Sequence, residues 1–198
     1  MDIVGVTREI TADLVERAYR NGVFPMAAPE HGVITWHRPD PRAVIPLDAF
    51  HVPRRLARTM RSRRFTVTLD RAFGAVMRGC AKGRPVWISE DLHRVYGELH
   101  SQGKAHSVEV WSGAELVGGL YGLHLGAAFF AESKFHRARD ASKVALASLA
   151  THLRERGFAL FEVQYLTEHL AQFGAVTVSD REYVRQLATA LAVARQFV

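Results

Sequence analysis

The sequence predicts an α+β fold, in which a mixed β-sheet domain follows a small N-terminal α/β accessory domain. Segments that alternate polar and apolar residues are concentrated after residue 104 and lead into helical periodicity. Five prolines between residues 25 and 46 exclude long helices from that part of the chain. The length of 198 residues fits one domain with an accessory layer, and we place the boundary so that the units are residues 1–62 and 63–198.

The first unit predicts two helices with short strands between them. A helix is expected over Ala12–Arg20, with Thr11 as its N-cap and Gly22 as its end. Short strands joined by turns are expected in the proline-rich segment that follows. A second helix is expected over residues 53–64, because Arg, Leu, Ala and Met dominate there and all favour helix.

The second unit predicts strands followed by helices. In chain order we expect a strand at 65–69, a helix at 70–80, an extended segment at 86–88, a helix at 90–102, strands at 105–111, 115–123 and 127–131, a helix at 141–156, a strand at 158–164, a short helix at 167–173, and a final helix opened by a capping box at 179–182. Antiparallel strands thus feed a right-handed β-α-β crossover, which makes the sheet mixed. This order resembles the core of the GNAT acyltransferases.

The charge distribution points to an anionic partner. The chain holds 26 Lys and Arg against 20 Asp and Glu, a net charge of +6. Six arginines fall between residues 54 and 64 without any acid: Arg54, Arg55, Arg58, Arg61, Arg63 and Arg64. A phosphate-rich partner would explain this density. A solvated helix face, with Leu56 and Met60 turned inward, explains it equally well.

Several classes of site are disfavoured. Cys80 is the only cysteine, which excludes intramolecular disulfides and Cys-rich zinc sites and makes the reducing cytoplasm the expected location. No apolar run is long enough to span a bilayer, so no membrane partner is expected. The scattered histidines give no zinc spacing, and residues 132–146 lack the glycines of an acetyl-CoA pyrophosphate turn. We therefore expect no metal and disfavour acetyl-CoA as donor.

Acidic and aromatic residues near strand ends are the candidate site residues. Glu132 follows an apolar strand, while Glu162 and Gln164 fall on one face of another. Such a pair is costly to bury unless it is used or paired, although a half-solvated sheet would also explain it. Trp36 and Trp87 lie beside turn-rich sequence, where aromatic side chains line apolar pockets or simply join the core.

Six ordered motifs resemble one family. The run NGVFPM with ITWHRPDPRAVIPLD is similar to the G-x-F-P and W-x-x-P-x-P-R-A segment of the bacterial leucyl/phenylalanyl-tRNA–protein transferases. Further matches follow in order: AFGAVMRGCA, WISEDLHRVYGELHSQGKAHSVEVW, LVGGLYG, FFAESKFHRARDASKVAL and EVQYLTEHLAQFGAVTVSDREY. The resemblance runs from about residue 11 to near the end of the chain.

The resemblance implies an activity and its partners. Family members transfer Leu or Phe, and less often Met, from aminoacyl-tRNA to the α-amine of a protein that begins with Arg or Lys. The product enters the N-degron pathway of protein degradation. The family uses no metal and no prosthetic group, and it has a small N-terminal domain before a GNAT-like domain.

The resemblance also implies roles for individual residues. An apolar pocket for the donor side chain falls on Trp36, Trp87 and Phe129. Glu132 would contact the amino group of the donor, with Ser133 beside it in the substrate site. Gln164 would lie near the attacking amine.

Two further roles follow from the same motifs. Glu162 would orient Gln164 or help to take the proton of the attacking amine. The arginines Arg54, Arg55, Arg58, Arg61, Arg63 and Arg64 would grip the tRNA acceptor stem.

Four positions depart from the family pattern. Glu162 replaces an aspartate, Lys134 a methionine, His37 the second tryptophan of a pair, and Asp140 an asparagine. These changes keep open a different aminoacyl donor or a non-protein amine acceptor. A non-catalytic tRNA-binding module is the alternative from another class.

Overall fold

The structure, a computed structural model, describes residues 2–82 and 88–198 and contains two sheets. A small antiparallel sheet holds strands β1 (Ile3–Thr7), β2 (Phe24–Ala28) and β3 (Val33–His37), in the order β1-β3-β2. Helix α1 (Ala12–Arg20) begins where predicted, because the Thr11 hydroxyl accepts a hydrogen bond from the Leu14 N–H at 3.2 Å. Strand β1 was not predicted, since its five residues include Gly5 and are mostly exposed.

The large sheet has seven described strands in the order β10-β4-β9-β8-β7-β6-β5. The strands are β4 (Arg42–Val44), β5 (Thr66–Leu69), β6 (Ala105–Ser112), β7 (Glu115–Leu125), β8 (Ala128–His136), β9 (Leu160–Gln164) and β10 (Val176–Val178). Neighbours pair antiparallel except β8 and β9, which pair parallel. The predicted α+β class with a mixed sheet is therefore confirmed.

Within the described residues, six further α-helices accompany the large sheet. They are α2 (Arg54–Arg61), α3 (Phe73–Ala81), α4 (Glu90–Ser101), α5 (Ala141–Glu155), α6 (Glu168–Ala171) and α7 (Asp180–Leu191). Helix α5 connects the parallel pair β8 and β9, as the predicted crossover requires. Helix α2 stops short of residue 64, because Arg63 adopts a left-handed backbone with φ of 57°. The extended segment predicted at 86–88 falls largely outside the described residues.

Sheet membership changes between β3 and β4. Strand β4 pairs with β9 and β10 in the large sheet, although it precedes residue 62. Strand β10 was not predicted, because three residues carry too short an alternation to be distinguished from a loop. The division into residues 1–62 and 63–198 stays a prediction.

Strand β8 separates two cores, because its side chains alternate between the sheet faces. Phe130 joins the core formed with α1, α3, α4, α7 and the small sheet. Phe129 joins the other core, formed with α2, α5 and α6. The alternation is interrupted once: Tyr121 pairs with Ser133, and Gly122 pairs with Ala131, so Glu132 is the extra residue of a β-bulge.

Gly118 on β7 lets helix α5 approach the sheet closely. A Cβ atom at Gly118 would lie 2.6 Å from the Cβ of Ala141 and 3.1 Å from its carbonyl carbon. Because Ala141 is the first residue of α5, this contact fixes where that helix begins.

We expect Gly118→Ala to destabilise the protein by roughly 1–3 kcal/mol, because the added methyl group overpacks the contact with α5. Gly97→Ala is the matched control: its Cβ meets nothing within 4 Å, and alanine favours the helix α4 in which it lies by about 1 kcal/mol. Chemical denaturation measures both. Equal effects of the two substitutions would contradict the close-approach account.

Candidate active site

Three neighbouring cavities share the side chain of Glu132. The large cavity, about 820 Å³, is bounded by α3, β8 and the start of α5 and also by Thr167 and His169. The inner cavity, about 70 Å³, adds Gln164 and Leu170 to residues of β8. The apolar cavity, about 170 Å³, is lined by Phe24, Met26, Glu132, Gln164 and Tyr165. Glu132 and Gln164 therefore lie at the junction of these spaces.

Buried tyrosines surround Glu132. The hydroxyl of Tyr19 on α1 donates a short hydrogen bond to Glu132 Oε1, and it lies 2.9 Å from the hydroxyl of Tyr96 on α4. Both tyrosines are almost fully buried. The hydroxyl of Tyr121 on β7 is buried too, and it has no hydrogen-bond partner within residues 2–82 and 88–198. The β-bulge at Glu132 thus places a carboxyl group in a pocket of phenol rings.

This environment alters the acidity of Glu132. Burial raises its pKa to about 8, the hydrogen bond from Tyr19 opposes the rise, and the charge of Glu162 adds to it. Glu132 is therefore mostly protonated near neutral pH in the absence of a cationic ligand. Burial and the neighbouring Glu132 also raise the pKa of Tyr19 well above its usual range, so the phenol stays a donor.

Glu162 is held by a buried ion pair. Arg42 Nη1 on β4 donates to Glu162 Oε1 at 2.9 Å, and both side chains are almost fully buried, at 1% and 0% exposure. Arg42 Nη2 donates to the carbonyl oxygen of Gly22, and the guanidinium lies 4.4 Å from the ring centroid of Tyr183. Burial raises the pKa of Glu162, while the Arg42 charge opposes the rise. The half-solvated sheet that would also have explained this residue is excluded.

Gln164 ends β9 in a strained backbone conformation. Its φ of 57° is left-handed, and the next residue turns back at once, with the Tyr165 N–H donating to the Val163 carbonyl at 2.7 Å. The Gln164 N–H donates to Glu162 Oε1 at 3.1 Å, and Gln164 Nε2 donates to Glu162 Oε2 at 3.4 Å. Because the amide nitrogen faces the carboxylate, Gln164 Oε1 remains available as an acceptor.

The predicted aromatic pocket is not assembled as expected. Phe129 is fully buried and stacks on Phe197 at 5.4 Å between ring centroids, on the α5 side of the sheet, so it lines none of the three cavities. The two-residue period of β8 turns Phe130, not Phe129, towards Tyr19, at 4.9 Å between centroids.

Of the two predicted pocket tryptophans, Trp36 lies within the described residues. Trp36 is buried in the small sheet, where its Nε1 donates to Thr7 Oγ1 at 3.0 Å, and it too lines none of the cavities. Trp87 falls outside the described residues. The placements of Phe129 and Trp36 do not support their expected pocket roles.

Sequence reasoning missed the residues that do line the apolar cavity. Phe24 and Met26 belong to the NGVFPM motif but were assigned no role, and Tyr165 follows the candidate pair by one residue. Arg42 was also missed, although an arginine between Pro41 and the apolar run AVIP signals a buried partner.

Ser133 borders the large and inner cavities and hydrogen-bonds to Cys80. Burial raises the pKa of the Cys80 thiol to about 12, which makes it a poor nucleophile. The predicted substrate contact of Ser133 agrees with its position but stays a prediction.

The predicted arginine cluster is exposed. Arg54, Arg55, Arg58, Arg61, Arg63 and Arg64 form no ion pair with any carboxylate of the described ranges. Leu56 is the buried anchor of α2, whereas Met60 remains 36% exposed.

Contacts connect the start of α2 to a wall of the large cavity. The His51 N–H donates to the Phe173 carbonyl at 3.0 Å, and the Phe173 ring lies 5.5 Å from that of His169. His169 lines the large cavity, so the arginines follow a segment attached to the candidate site.

The described residues offer neither a metal-binding cluster nor a membrane-spanning helix. Residues 2–82 and 88–198 contain no group of three or more His, Cys, Asp or Glu side chains able to hold a metal ion. No helix in these ranges is long and apolar enough to cross a membrane.

Comparison with known proteins gives family matches along nearly the whole chain. The model described as leucyl/phenylalanyl-tRNA protein transferase matches residues 44–188, and that described as its N-terminal domain matches residues 8–40. Among solved structures, the chain is similar to L-PGS from Bacillus licheniformis, with 13% identity and a TM-score of 0.44 over 84% of this chain and 57% of that chain.

Curated relatives carry the same name. Proteins called leucyl/phenylalanyl-tRNA–protein transferase are 52% identical in Salinibacter ruber, 54% in Paramagnetospirillum magneticum and 50% in Caulobacter vibrioides. The matches cover 93%, 93% and 94% of this chain and 82%, 91% and 88% of the relatives. On this identity and coverage, the chain belongs to the leucyl/phenylalanyl-tRNA–protein transferase family, a family of aminoacyltransferase enzymes.

Proposed function

We propose that this protein transfers Leu or Phe, and less readily Met, from aminoacyl-tRNA to the α-amine of proteins that begin with Arg or Lys. The observation that carries this proposal is the junction of Glu132 and Gln164, where an apolar cavity meets two polar groups suited to binding amines. Family membership supports the tRNA donor and the protein acceptor. A protein that receives Leu or Phe in this way would be marked for degradation through the N-degron pathway in the cytoplasm.

The chemistry suits a site built from positioning groups. The donor is an ester and the product an amide, so the reaction is downhill. Catalysis then depends on holding the amine near the ester carbonyl and on stabilising the tetrahedral intermediate. Side chains of the described chain provide these functions without any need for a metal or cofactor in the scheme.

The apolar cavity is the best place for the donor side chain. Its volume of about 170 Å³ suits one Leu or Phe side chain, and Phe24, Met26 and Tyr165 provide the apolar contacts. Glu132 closes the polar end, where the α-ammonium of the aminoacyl group would lie. Binding of this cation would ionise Glu132, since an opposite charge favours the carboxylate.

Gln164 and Glu162 divide the work on the attacking amine. Gln164 Oε1 would accept an N–H of the amine and direct its lone pair at the ester carbonyl. Glu162 lines none of the three cavities, so it acts through Gln164, whose amide it orients. We therefore assign Gln164 as the catalytic residue and Glu162 as a positioning residue.

The exposed arginines of α2 and of the turn after it form the proposed tRNA-binding surface. Six exposed cations on one short segment offer several phosphate contacts with the acceptor stem. Their connection to the wall of the large cavity would bring the 3′ end of the tRNA to the junction at Glu132.

A non-protein amine acceptor is the second candidate, and Lys134 is the observation that favours it. This lysine lines both the large and the inner cavity. A fixed cation there opposes binding of an acceptor that begins with Arg or Lys. A panel of amines with and without a basic side chain separates the two candidates.

The test of the proposed function is transfer from charged tRNA. We expect labelled Phe or Leu to pass from its tRNA to a peptide with N-terminal Arg, and not to the same peptide with its α-amine acetylated. Gln164→Ala lowers kcat about 100-fold, since it removes the acceptor for the amine, and leaves tRNA binding intact. Absence of transfer from every charged tRNA would refute the proposal.

Replacing Tyr19 tests the role assigned to Glu132. Tyr19→Phe keeps the ring but removes the hydroxyl that donates to Glu132. We expect kcat/KM for the donor to fall about tenfold and the pH–rate profile to move to higher pH, because this hydrogen bond lowers the pKa of Glu132. Tyr121→Phe is the matched control, since its hydroxyl is equally buried and has no partner in the described chain. Similar effects of both variants would argue against a specific role for Tyr19.

The raised pKa of Glu132 makes stability depend on pH. Between its unfolded pKa near 4.5 and its folded pKa of about 8, the folded state keeps a proton that the unfolded state has lost. Wild-type stability therefore falls as the pH rises through this window. Glu132→Gln does not titrate, so we expect it to be the more stable protein at pH 9, by on the order of 2 kcal/mol, and to lose this advantage near pH 5.

Denaturant unfolding at pH 5, 7 and 9 measures this difference. The exposed glutamate variant Glu155→Gln serves as control and should differ from wild type by a constant amount. An advantage of Glu132→Gln that does not grow with pH would contradict the assigned protonation state.

A further inference from the structure

The large cavity is lined by more basic than acidic side chains. Five basic side chains line it: Lys82, Lys134, His136, Arg137 and His169. Glu132 is the single carboxylate among its described lining residues, and it lies at the junction with the other cavities. The remainder of the cavity therefore presents positive charge to whatever enters it.

Two of these cations are not neutralised by the described chain. Neither Lys82 nor Arg137 forms an ion pair with a carboxylate of residues 2–82 or 88–198. Arg137 Nη1 donates to the carbonyl of Leu116 at 3.2 Å, and its guanidinium lies 5.6 Å from the ring centroid of Phe135. These contacts position the side chain and leave its charge available.

His169 also lines the large cavity and contributes a neutral ring rather than a charge. The amide nitrogen of Gln172 lies 3.3 Å from His169 Nδ1, which assigns the ring proton to Nε2. Nε2 is buried and has no hydrogen-bond partner among the described residues. Burial lowers the pKa of His169 to about 4, and the neighbouring cations Lys134 and Lys143 act in the same direction. The imidazole is thus a neutral donor in a positive field.

We propose that the large cavity binds the phosphodiester between the last two nucleotides of the tRNA donor, with Arg137 and Lys82 as its charged contacts. This inference rests on the proposed function, because it assigns one part of that donor to one cavity. The phosphate and the aminoacyl ester are carried by the same terminal ribose. An ester held at Glu132 therefore places this phosphate in an adjoining space, and the large cavity is the adjoining space with cationic walls.

The acceptor is a poorer occupant of the large cavity. A protein that begins with Arg or Lys would add its own positive charge to those of Lys82 and Arg137, which is unfavourable. A phosphodiester is instead the group that a guanidinium binds through paired hydrogen bonds. The charge of the cavity walls therefore favours the tRNA donor over the protein acceptor as the occupant of the large cavity.

Truncated donors test this assignment directly. One donor is 3′-O-phenylalanyl-adenosine, which has no phosphate, and the other is the phenylalanylated dinucleotide CpA, which has one phosphodiester. We expect wild-type kcat/KM to be about tenfold higher for the dinucleotide. Arg137→Gln should remove most of this preference and leave the rate with the nucleoside unchanged. Arg139→Gln is the matched control, since Arg139 is exposed two residues further on and lines none of the cavities.

The outcomes distinguish failure of this inference from failure of the proposed function. Equal use of both donors by the wild type, or an equal loss with both donors in Arg137→Gln, overturns the phosphate assignment. The same is true if Arg139→Gln reproduces the effect of Arg137→Gln. Failure of the truncated donors and of full-length charged tRNA alike overturns the proposed function.

A second readout applies if full-length tRNA alone supports transfer. The salt dependence of its kcat/KM should then become shallower in Arg137→Gln, by about 0.7 in the logarithmic slope, and stay unchanged in Arg139→Gln. An unchanged slope in Arg137→Gln overturns the phosphate assignment.

Discussion

The buried ion pair between Arg42 and Glu162 is the interaction on which the site depends. It connects a strand from the N-terminal part of the chain to the strand that ends at Gln164. A buried carboxylate without a partner is strongly destabilising, so Arg42 must be in place before Glu162 can be tolerated there. Arg42 in turn bonds to the carbonyl of Gly22 at the end of the first helix segment. The polar end of β9 is thus fixed to the neighbouring strand β4 and to the turn that follows α1.

The second constraint is the proximity of two buried carboxyl groups. Glu162 is charged and fully paired, whereas Glu132 lies close enough for that charge to disfavour its own ionisation. The phenol of Tyr19 holds Glu132 in either protonation state. The arrangement keeps one carboxyl group charged for structure and leaves the other able to respond to an arriving cation. Two residues of the same type therefore perform different tasks because their partners differ.

Much of the fold could be predicted from the sequence, because most elements carry clear local signals. Caps at Thr11, Ser89 and Ser179 mark three helices correctly, and the alternation after residue 104 marks the central strands. Strand β4 falls in the proline-rich segment where short strands were expected, whereas β1 and β10 escaped prediction, since three to five residues give little periodicity. Their pairing depends on partners distant in the chain.

The site was predictable in its polar residues and less so in its apolar ones. Glu132, Glu162 and Gln164 are conspicuous because charged and amide groups at the ends of apolar strands need a reason to be there. Phe129 illustrates the limit. Sequence alone does not reveal on which face of a strand a given phenylalanine lies, and a bulge three residues later shifts the pattern again.

At Gln164, the left-handed backbone favours glycine, whereas the proposed chemistry requires a side-chain amide. A long side chain is uncommon in this conformation, and holding it there costs on the order of 1 kcal/mol, which glycine would largely avoid. Selection for thermal stability alone would thus favour glycine at this position. The presence of glutamine means that the protein accepts a local loss of stability in return for the side-chain amide. Laboratory selection for stability without selection for turnover is therefore expected to replace Gln164 early.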